Sequence, residues 1–314
     1  MTTTTAPERG KVTQRPGDRW FSGTALGAGV MILVTLAAVA IFLIVQSIPG
    51  LTATSEDASL LSGNFWEYVW PLAFGTVWAS FLALLMAVPL AVSVALFISH
   101  YAPRRLAQSL GYIVDLLAAV PSVVFGLWGI IVLAPAVQPV YAWLNANMGW
   151  FPLFGGTVSS TGRTIFTAAI VLAVMIVPII TAICREIFLQ TPVLHEEAAL
   201  ALGATRWEMI RMAVFPFGRS GIVSASMLGL GRALGETMAV AMVLSATGVV
   251  TFQLFTSENP STIPANIALT FPEAYGTNIN VLIATGLILF IVTFAVNAIA
   301  RWIVSRRKEF SGAN

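Results

Sequence analysis

Residues 196 to 216 read "EEAALALGATRWEMIRMAVFP", a polar, helix-forming segment in a chain that is otherwise almost entirely apolar. Just upstream, Thr191 and Pro192 form an N-cap and first-turn pair, and Gly203 is a stop residue, so a short helix is predicted over about 192–202. Thr205, with Glu208 three residues on, is a capping box opening a second helix that is predicted to end near Phe215 and Pro216. The reading is helix, glycine turn, helix. A solvated connector would explain the caps alone. Ala198, Ala199 and Ala201 add a smooth face that another protein's groove can approach closely, with Glu196 and Glu197 at its rim, and this predicts a docking element.

The surrounding composition sets the class. Of 314 residues 57% are hydrophobic and only 10% charged, with mean hydropathy +0.86, which is the balance of an integral membrane protein. Six stretches reach the roughly 20 apolar residues that a helix needs to cross hydrocarbon: 24–46, 71–99, 110–134, 164–183, 220–246 and 279–300. Alternating polarity, the mark of a membrane barrel, is absent, so the expected fold is all-α with six transmembrane helices. The first span follows four cationic residues as a signal peptide would, but its apolar run is long and more spans follow, so it is read as a retained anchor.

Six spans put both termini on one side, and the cations choose which. Arg9, Lys11, Arg15 and Arg19 precede span one, Arg104 and Arg105 follow span two, Arg185, Arg206, Arg211 and Arg219 lie between spans four and five, and Arg301, Arg306, Arg307 and Lys308 end the chain. Both termini are therefore expected in the cytoplasm, with tails at 1–22 and 305–314 and a large cytoplasmic loop at 184–219. Of the 16 cationic residues only Arg163 falls in an outer loop and only Arg232 within a span. The net charge of +2 is thus a topology signal, with no sign of a nucleic-acid surface.

No recognised enzyme site survives inspection. Cys184 is the sole cysteine, so neither an intramolecular disulfide nor a cysteine metal cluster is possible. His195 opens "HEEAA" without the second histidine of a zincin, and the only other histidine is His100. Lys11 and Lys308, the only lysines, lack a P-loop context. "GLGRALG" at 229–235 has the wrong spacing for a dinucleotide fingerprint and reads as close helix packing, as does the pair Gly23 and Gly27.

Charges inside a span cost on the order of 3 kcal/mol each and usually face a partner or a watery path. Three are expected there: Asp115 in span three, and Arg232 and Glu236 on one face of span five. An ion pair among them would hold spans together, whereas an open Arg232 would meet a passing anion with its planar fork. Residue types alone support the two equally. Pro89, Pro121 and Pro178 should kink or interrupt their helices, and Pro121 with Ser122 can bare backbone groups to a substrate, though a packing kink is the plainer role. Trp66, Trp70, Trp143 and Trp150 flank spans as interfacial anchors. The outer loop 135–163 is expected to be long and semi-apolar, lying on the membrane surface or supporting a partner.

"EAALALG" followed by "FP" at 215 and 216 resembles the EAA loop of bacterial ATP-binding-cassette importer permeases, with Glu197, Ala198, Ala199, Gly203 and Pro216 at the pattern's fixed positions. Ala213 and Phe215 depart from the pattern's usual Ile and Leu by apolar replacements. Two further stretches, "LLAAVPSVVFGLWG" at 116–129 and "LGLGRALGETMAV" at 228–240, resemble the phosphate-specific permease subunit of the PstC type; its sister subunit usually has GETAPL where this chain has "GETMAV". The resemblance runs over spans two to six and implies a MetI-like, type I importer permease domain over 71–304, preceded by a first span and outer loop at 23–70. It further implies a heterodimer with a sister permease, two copies of an ATP-binding subunit that carry ATP and magnesium, an external phosphate-binding protein, and no cofactor on this chain. Within the resemblance the loop 184–219 couples to the ATPase, and Arg232, Glu236, Asp115 and Ser122 are candidates for the substrate path. A sulfate or molybdate permease would share the loop; a passive anion channel would not need it, and a membrane-embedded enzyme lacks any nucleophile and base set.

Overall fold

The computed structural model describes residues 16–306, and the two tails, with Arg9, Lys11, Arg15, Arg307 and Lys308, lie outside the described residues. The side chains of Arg19 and Arg306 lie outside them as well. Uninterrupted apolar runs leave backbone groups no water to bond, and a helix satisfies them within the segment. Twelve α-helices result among the described residues. In chain order they are α1 (Pro16–Leu51), α2 (Phe65–Leu96), α3 (Arg104–Ala118), α4 (Ser122–Trp128), α5 (Ala134–Met148), α6 (Ile165–Leu189), α7 (Val193–Ala201), α8 (Arg206–Met209), α9 (Phe215–Leu234), α10 (Met238–Val243), α11 (Ile263–Thr270) and α12 (Thr277–Arg306). Short π segments fuse some of these, so six continuous helices are long and apolar enough to cross a membrane: Trp20–Leu51, Phe65–Tyr101, Ser122–Met148, Ile165–Leu189, Arg206–Leu234 and Thr277–Trp302. The chain is a multi-pass, all-α membrane protein.

The π segments have a common sequence cause. Phe97–Tyr101, Gly129–Leu133 and Ile210–Val214 each end two residues before a proline, namely Pro103, Pro135 and Pro216. Proline lacks an N–H and its ring collides with the carbonyl four residues back; one extra residue in the turn relieves that collision. After Leu133 and Val214 the helix therefore continues, and after Tyr101 it ends.

This corrects two expected spans. Span three lies at 122–148 instead of 110–134, because Pro135 is absorbed by a π turn while Pro121 is not. The residue before a proline is pushed out of the helical region, so α3 stops at Ala118 and α4 begins afresh at Ser122. Residues 135–148 of the expected outer loop 135–163 are accordingly the second half of span three. Pro121 sits at the start of that span, where it divides α3 from α4. Span five runs 206–234 instead of 220–246, so residues 206–219 of the expected loop are its first turns, and Gly235 ends it.

Span four is the centre, with 67% of its apolar window buried. Against it lies a ladder of alanines on α2, Ala79, Ala83, Ala87, Ala91 and Ala95, all fully buried at four-residue spacing. Small side chains on one stripe let two helix backbones approach closely, which is how membrane helices gain dispersion energy. Thr181 Oγ1 adds a bond to the Ala91 carbonyl at 3.4 Å. The glycine pairs expected to pack do otherwise. A methyl group at Gly23, Gly27 or Gly231 would meet no neighbour, and at Gly235 only the Gly231 carbonyl, whereas Gly229 lies under Ile180 and Gly218 under Phe188.

Span one is peripheral. None of its apolar window is buried, and it leans on span six, with Gly50 against the Asn280 backbone. That outward apolar surface suits hydrocarbon. Trp66, Trp70, Trp143 and Trp150 are all exposed at the end of the bundle opposite α7. At that same end the chain after α10 folds back over the helices, fixed by Asn259, which is fully buried. Asn259 Oδ1 accepts from the Ile165 N–H at 2.9 Å, and its Nδ2 donates to the carbonyls of Thr256 at 3.0 Å and Ser245 at 3.1 Å.

Candidate functional site

Two places carry the polar residues that the apolar bundle does not explain. The first is the connection from Leu189 to Arg206. Here α7 ends in a complete Schellman motif: the Ala204 N–H bonds the Ala199 carbonyl at 3.2 Å and the Gly203 N–H bonds the Leu200 carbonyl at 3.0 Å. Gly203 takes φ +88°, the left-handed conformation this motif requires, and no atom lies near enough to contact a side chain there. The capping box that opens α8 is present, with Glu208 Oε2 accepting from the Thr205 N–H at 2.7 Å and Thr205 Oγ1 accepting from the Glu208 N–H at 3.3 Å. Thr191, by contrast, does not cap α7. Pro192 occupies the N-cap position, and the Thr191 hydroxyl is buried without a hydrogen-bond partner.

α7 buries none of its residues, and its outer surface shows Val193, Leu194, Glu197, Ala198 and Leu200. Leu202, at the turn, is 91% exposed. Apolar side chains held this far from both bundle and hydrocarbon ask for a cover. Two expected surface residues face inward instead. Ala199 packs on the main core, and Glu196 reaches His100 Nε2 at 3.4 Å, so the outward face consists of Glu197 and Ala198 with the exposed apolar residues and excludes Ala199. Pro216 lies in the helix that follows, beside Phe215, whose ring meets Trp207 at 6.2 Å and Phe188 of span four at 6.3 Å, both edge-on. These rings pack span five on span four.

The second place is the break after span five. Arg232 sits in the last turn of α9, is exposed, and makes no ion pair or hydrogen bond among the described residues. Glu236 has left that helix. It is only 8% exposed, and its Oε1 accepts from the Ala239 N–H at 3.1 Å, capping α10. The opposite end of α10 is also satisfied: Arg163 Nη2 donates to the Met242 carbonyl at 3.1 Å and its Nε to the Val243 carbonyl at 3.4 Å. Sequence reading singled out Arg163 only as a lone outer cation. Its use, a cation on a helix C-terminus, becomes visible only when residues 80 apart in sequence meet.

The two stretches 116–129 and 228–240 come together here. α10 packs on α4, and a methyl group at Gly126 would lie 3.0 Å from both the Ala239 Cα and the Met242 sulfur. Gly129 is equally tight against Val243 and Val171. Ser122 opens α4, half-buried and without a hydrogen bond.

Asp115 does not join this group. It lies on α3, outside the six spans, and pairs with Arg185 at 3.6 Å with half of its side chain exposed. The α3 sequence explains why: Arg104, Arg105, Gln108, Ser109 and Asp115 make it too polar to be a span. Gly111 leaves the space through which the Arg185 guanidinium reaches across. An ion pair this exposed is worth at most about 1 kcal/mol, so it orients two side chains more than it holds helices.

The profile of the family described as Binding-protein-dependent transport system inner membrane component matches residues 87–309, which include both places. The chain is 49% identical over 305 residues to the phosphate transport system permease protein PstC 2 of Mycobacterium tuberculosis, covering 91% of each chain. It is 43% identical to the phosphate transport system permease protein PstC of Mycobacterium leprae, covering 95% of this chain and 96% of that one. To the protein of that name from Mesorhizobium japonicum it is 39% identical over 94% of this chain and 92% of the other. Among solved structures, a bacterial alginate ABC transporter in complex with an alginate-pentasaccharide-bound periplasmic protein superposes with a TM-score of 0.60 at 17% identity, over 91% of this chain and 95% of that one. A second structure of a bacterial ABC transporter importing alginate gives 0.59 at 17% identity. These likenesses show the MetI-like permease fold.

Proposed function

The chain belongs to the family of binding-protein-dependent transport system inner membrane components, and from that premise we propose that it is the permease subunit of an ATP-driven importer of inorganic phosphate. The observation that carries the coupling part of this reading is α7, a helix that buries no residue of its own and ends on an obligatory left-handed glycine. Such a helix is a plug for a groove on another protein. We place that groove on a cytoplasmic ATP-binding subunit, present in two copies, which supplies ATP and magnesium. We place this end, and both chain termini, in the cytoplasm of a bacterial inner membrane, a reading supported by the positive residues near α7.

A sister permease of the PstA type would face the exposed side of α9 and complete the path. Arg232 is then the anion contact: an unpaired guanidinium at the end of a span helix, presenting a planar fork of donors to phosphate oxygens. Glu236 and Ser122 stand at the two packed helix starts beside it, α10 and α4. An external phosphate-binding protein would deliver the ion to the end covered by residues 244–262. Alternating access follows if the two permeases rock about this site when the ATPase closes on α7.

The test is reconstitution of the chain with its sister permease, ATPase and binding protein in liposomes. Labelled phosphate uptake that requires ATP and is not matched by sulfate or molybdate supports the reading. Uptake of sulfate or molybdate instead reassigns the substrate, and flux without ATP turns the assembly into a channel.

A further inference from the structure

The contact between span two and α7 has no counterpart in the sequence pattern. His100 lies in the π segment Phe97–Tyr101 that ends span two, and Glu196 stands on the inward face of α7, 96 residues away. His100 Nε2 and Glu196 Oε1 are 3.4 Å apart, with side-chain exposures of 9% and 21%. On the other side of the ring, His100 Nδ1 is 2.7 Å from Ser99 Oγ, and Ser99 Oγ is 2.8 Å from the Ala95 carbonyl.

A carboxylate only accepts, so Glu196 takes its hydrogen bond from Nε2–H, while the Ser99 hydroxyl at Nδ1 fixes the orientation of the ring.

We propose that His100 is a positioning residue of the coupling machinery: its ring fastens α7 to the end of span two through Glu196, and loss of that contact loosens the transmission of ATPase closure. The proposal rests on α7 being the coupling helix. Span two carries the buried alanine ladder on span four, so a helix pinned to its last turn moves the packed core with it. The charged groups on the elements packed around this turn are Arg104, Arg105 and Asp115 on α3, Arg185 and Glu186 on α6, and His195, Glu196 and Glu197 on α7. Of the carboxylates among the described residues, only Glu196 lies within ion-pair distance of His100, and Asp115 is engaged by Arg185.

The experiment measures phosphate uptake per ATP hydrolysed by the full reconstituted complex. His100→Gln and Glu196→Gln should each lower the ratio by roughly two- to fivefold, with the double variant no worse than either single one. A His100→Gln complex that assembles and keeps the wild-type ratio overturns the proposal, and so does additive loss in the double variant. Gly203→Val, run alongside, separates the two readings. If it transports normally, α7 is not the coupling helix; if it uncouples while His100→Gln does not, only the His100 fastening is wrong.

Discussion

Glu236 accepts a hydrogen bond from the Ala239 backbone N–H at 3.1 Å and makes no ion pair with Arg232, although the two stand one helical turn apart in sequence. Gly235 ends the helix between them, so Arg232 points out of the bundle while Glu236 turns back to cap α10. Glu236→Gln keeps the capping oxygen and removes the charge; Glu236→Ala removes both. The alanine variant should lose about 1 kcal/mol of thermal stability and the glutamine variant less. At neutral pH phosphate carries a proton that a carboxylate can accept, while sulfate carries none. In a complex freed from its binding protein, Glu236→Gln is expected to weaken the preference for phosphate over sulfate. An unchanged preference leaves Glu236 as a helix cap only.

Among the described residues Arg232 has no ion-pair or hydrogen-bond partner to lose, so its substitution reports on the ion. Arg232→Lys retains the charge without the bidentate fork. The complex should assemble normally, by co-purification, and take up phosphate at a severely reduced rate. Uptake at the wild-type rate would mean that a point charge suffices there.

Gly203 is surrounded by open space, so a side chain at this position meets no obstacle and only the backbone conformation is at stake. A β-branched residue with φ near +88° costs about 1–2 kcal/mol and moves the turn elsewhere. Gly203→Val is expected to insert and fold, to retain ATPase binding weakly or not at all, and to abolish ATP-driven uptake. Normal uptake would refute the coupling role of α7.

The alanine ladder sets the spacing of spans two and four. Ala87 is 0% exposed in the middle of it. Ala87→Leu inserts three carbons where two backbones touch, and should cost about 1–3 kcal/mol, read as a lower unfolding temperature of the purified complex. Ala87→Gly should cost less, because it adds no volume.

Arg163 holds the C-terminal carbonyls of α10. Arg163→Ala should destabilise the outer cover by about 1 kcal/mol or more, seen as faster proteolysis of residues 244–262 with spans intact. Unchanged proteolysis would assign the anchoring of that segment to Asn259 alone.

Much of this was legible in the sequence because it depends on local rules. Apolar runs announced six helices, since hydrocarbon admits no other use of them, and Thr205 with Glu208 announced the start of a helix whose capping box is present atom for atom. Gly203 was legible as a stop because only glycine takes φ +88° without strain. What failed was local reasoning about prolines. Pro135 and Pro216 look like helix ends, yet a π turn before each lets the helix run on, and whether the extra residue is tolerated depends on neighbours that sequence does not display. That error moved spans three and five and placed Asp115 in the membrane; Glu236 was put on the helix of Arg232 because Gly235, which ends that helix, reads in sequence as a packing glycine.

The rest belongs to the tertiary structure because it joins distant residues. Composition determined that the chain spans a membrane and that a polar segment follows span four. Which face of that segment is free was decided by His100, which draws Glu196 inward, and by the core, which covers Ala199. The meeting of 116–129 with 228–240 through Gly126 and Gly129, and of Arg163 with α10, likewise follows from packing. Helix periodicity says which residues share a face; only the packing of helices against one another says what that face meets, because the energy lies in contacts between segments that the chain's order leaves far apart.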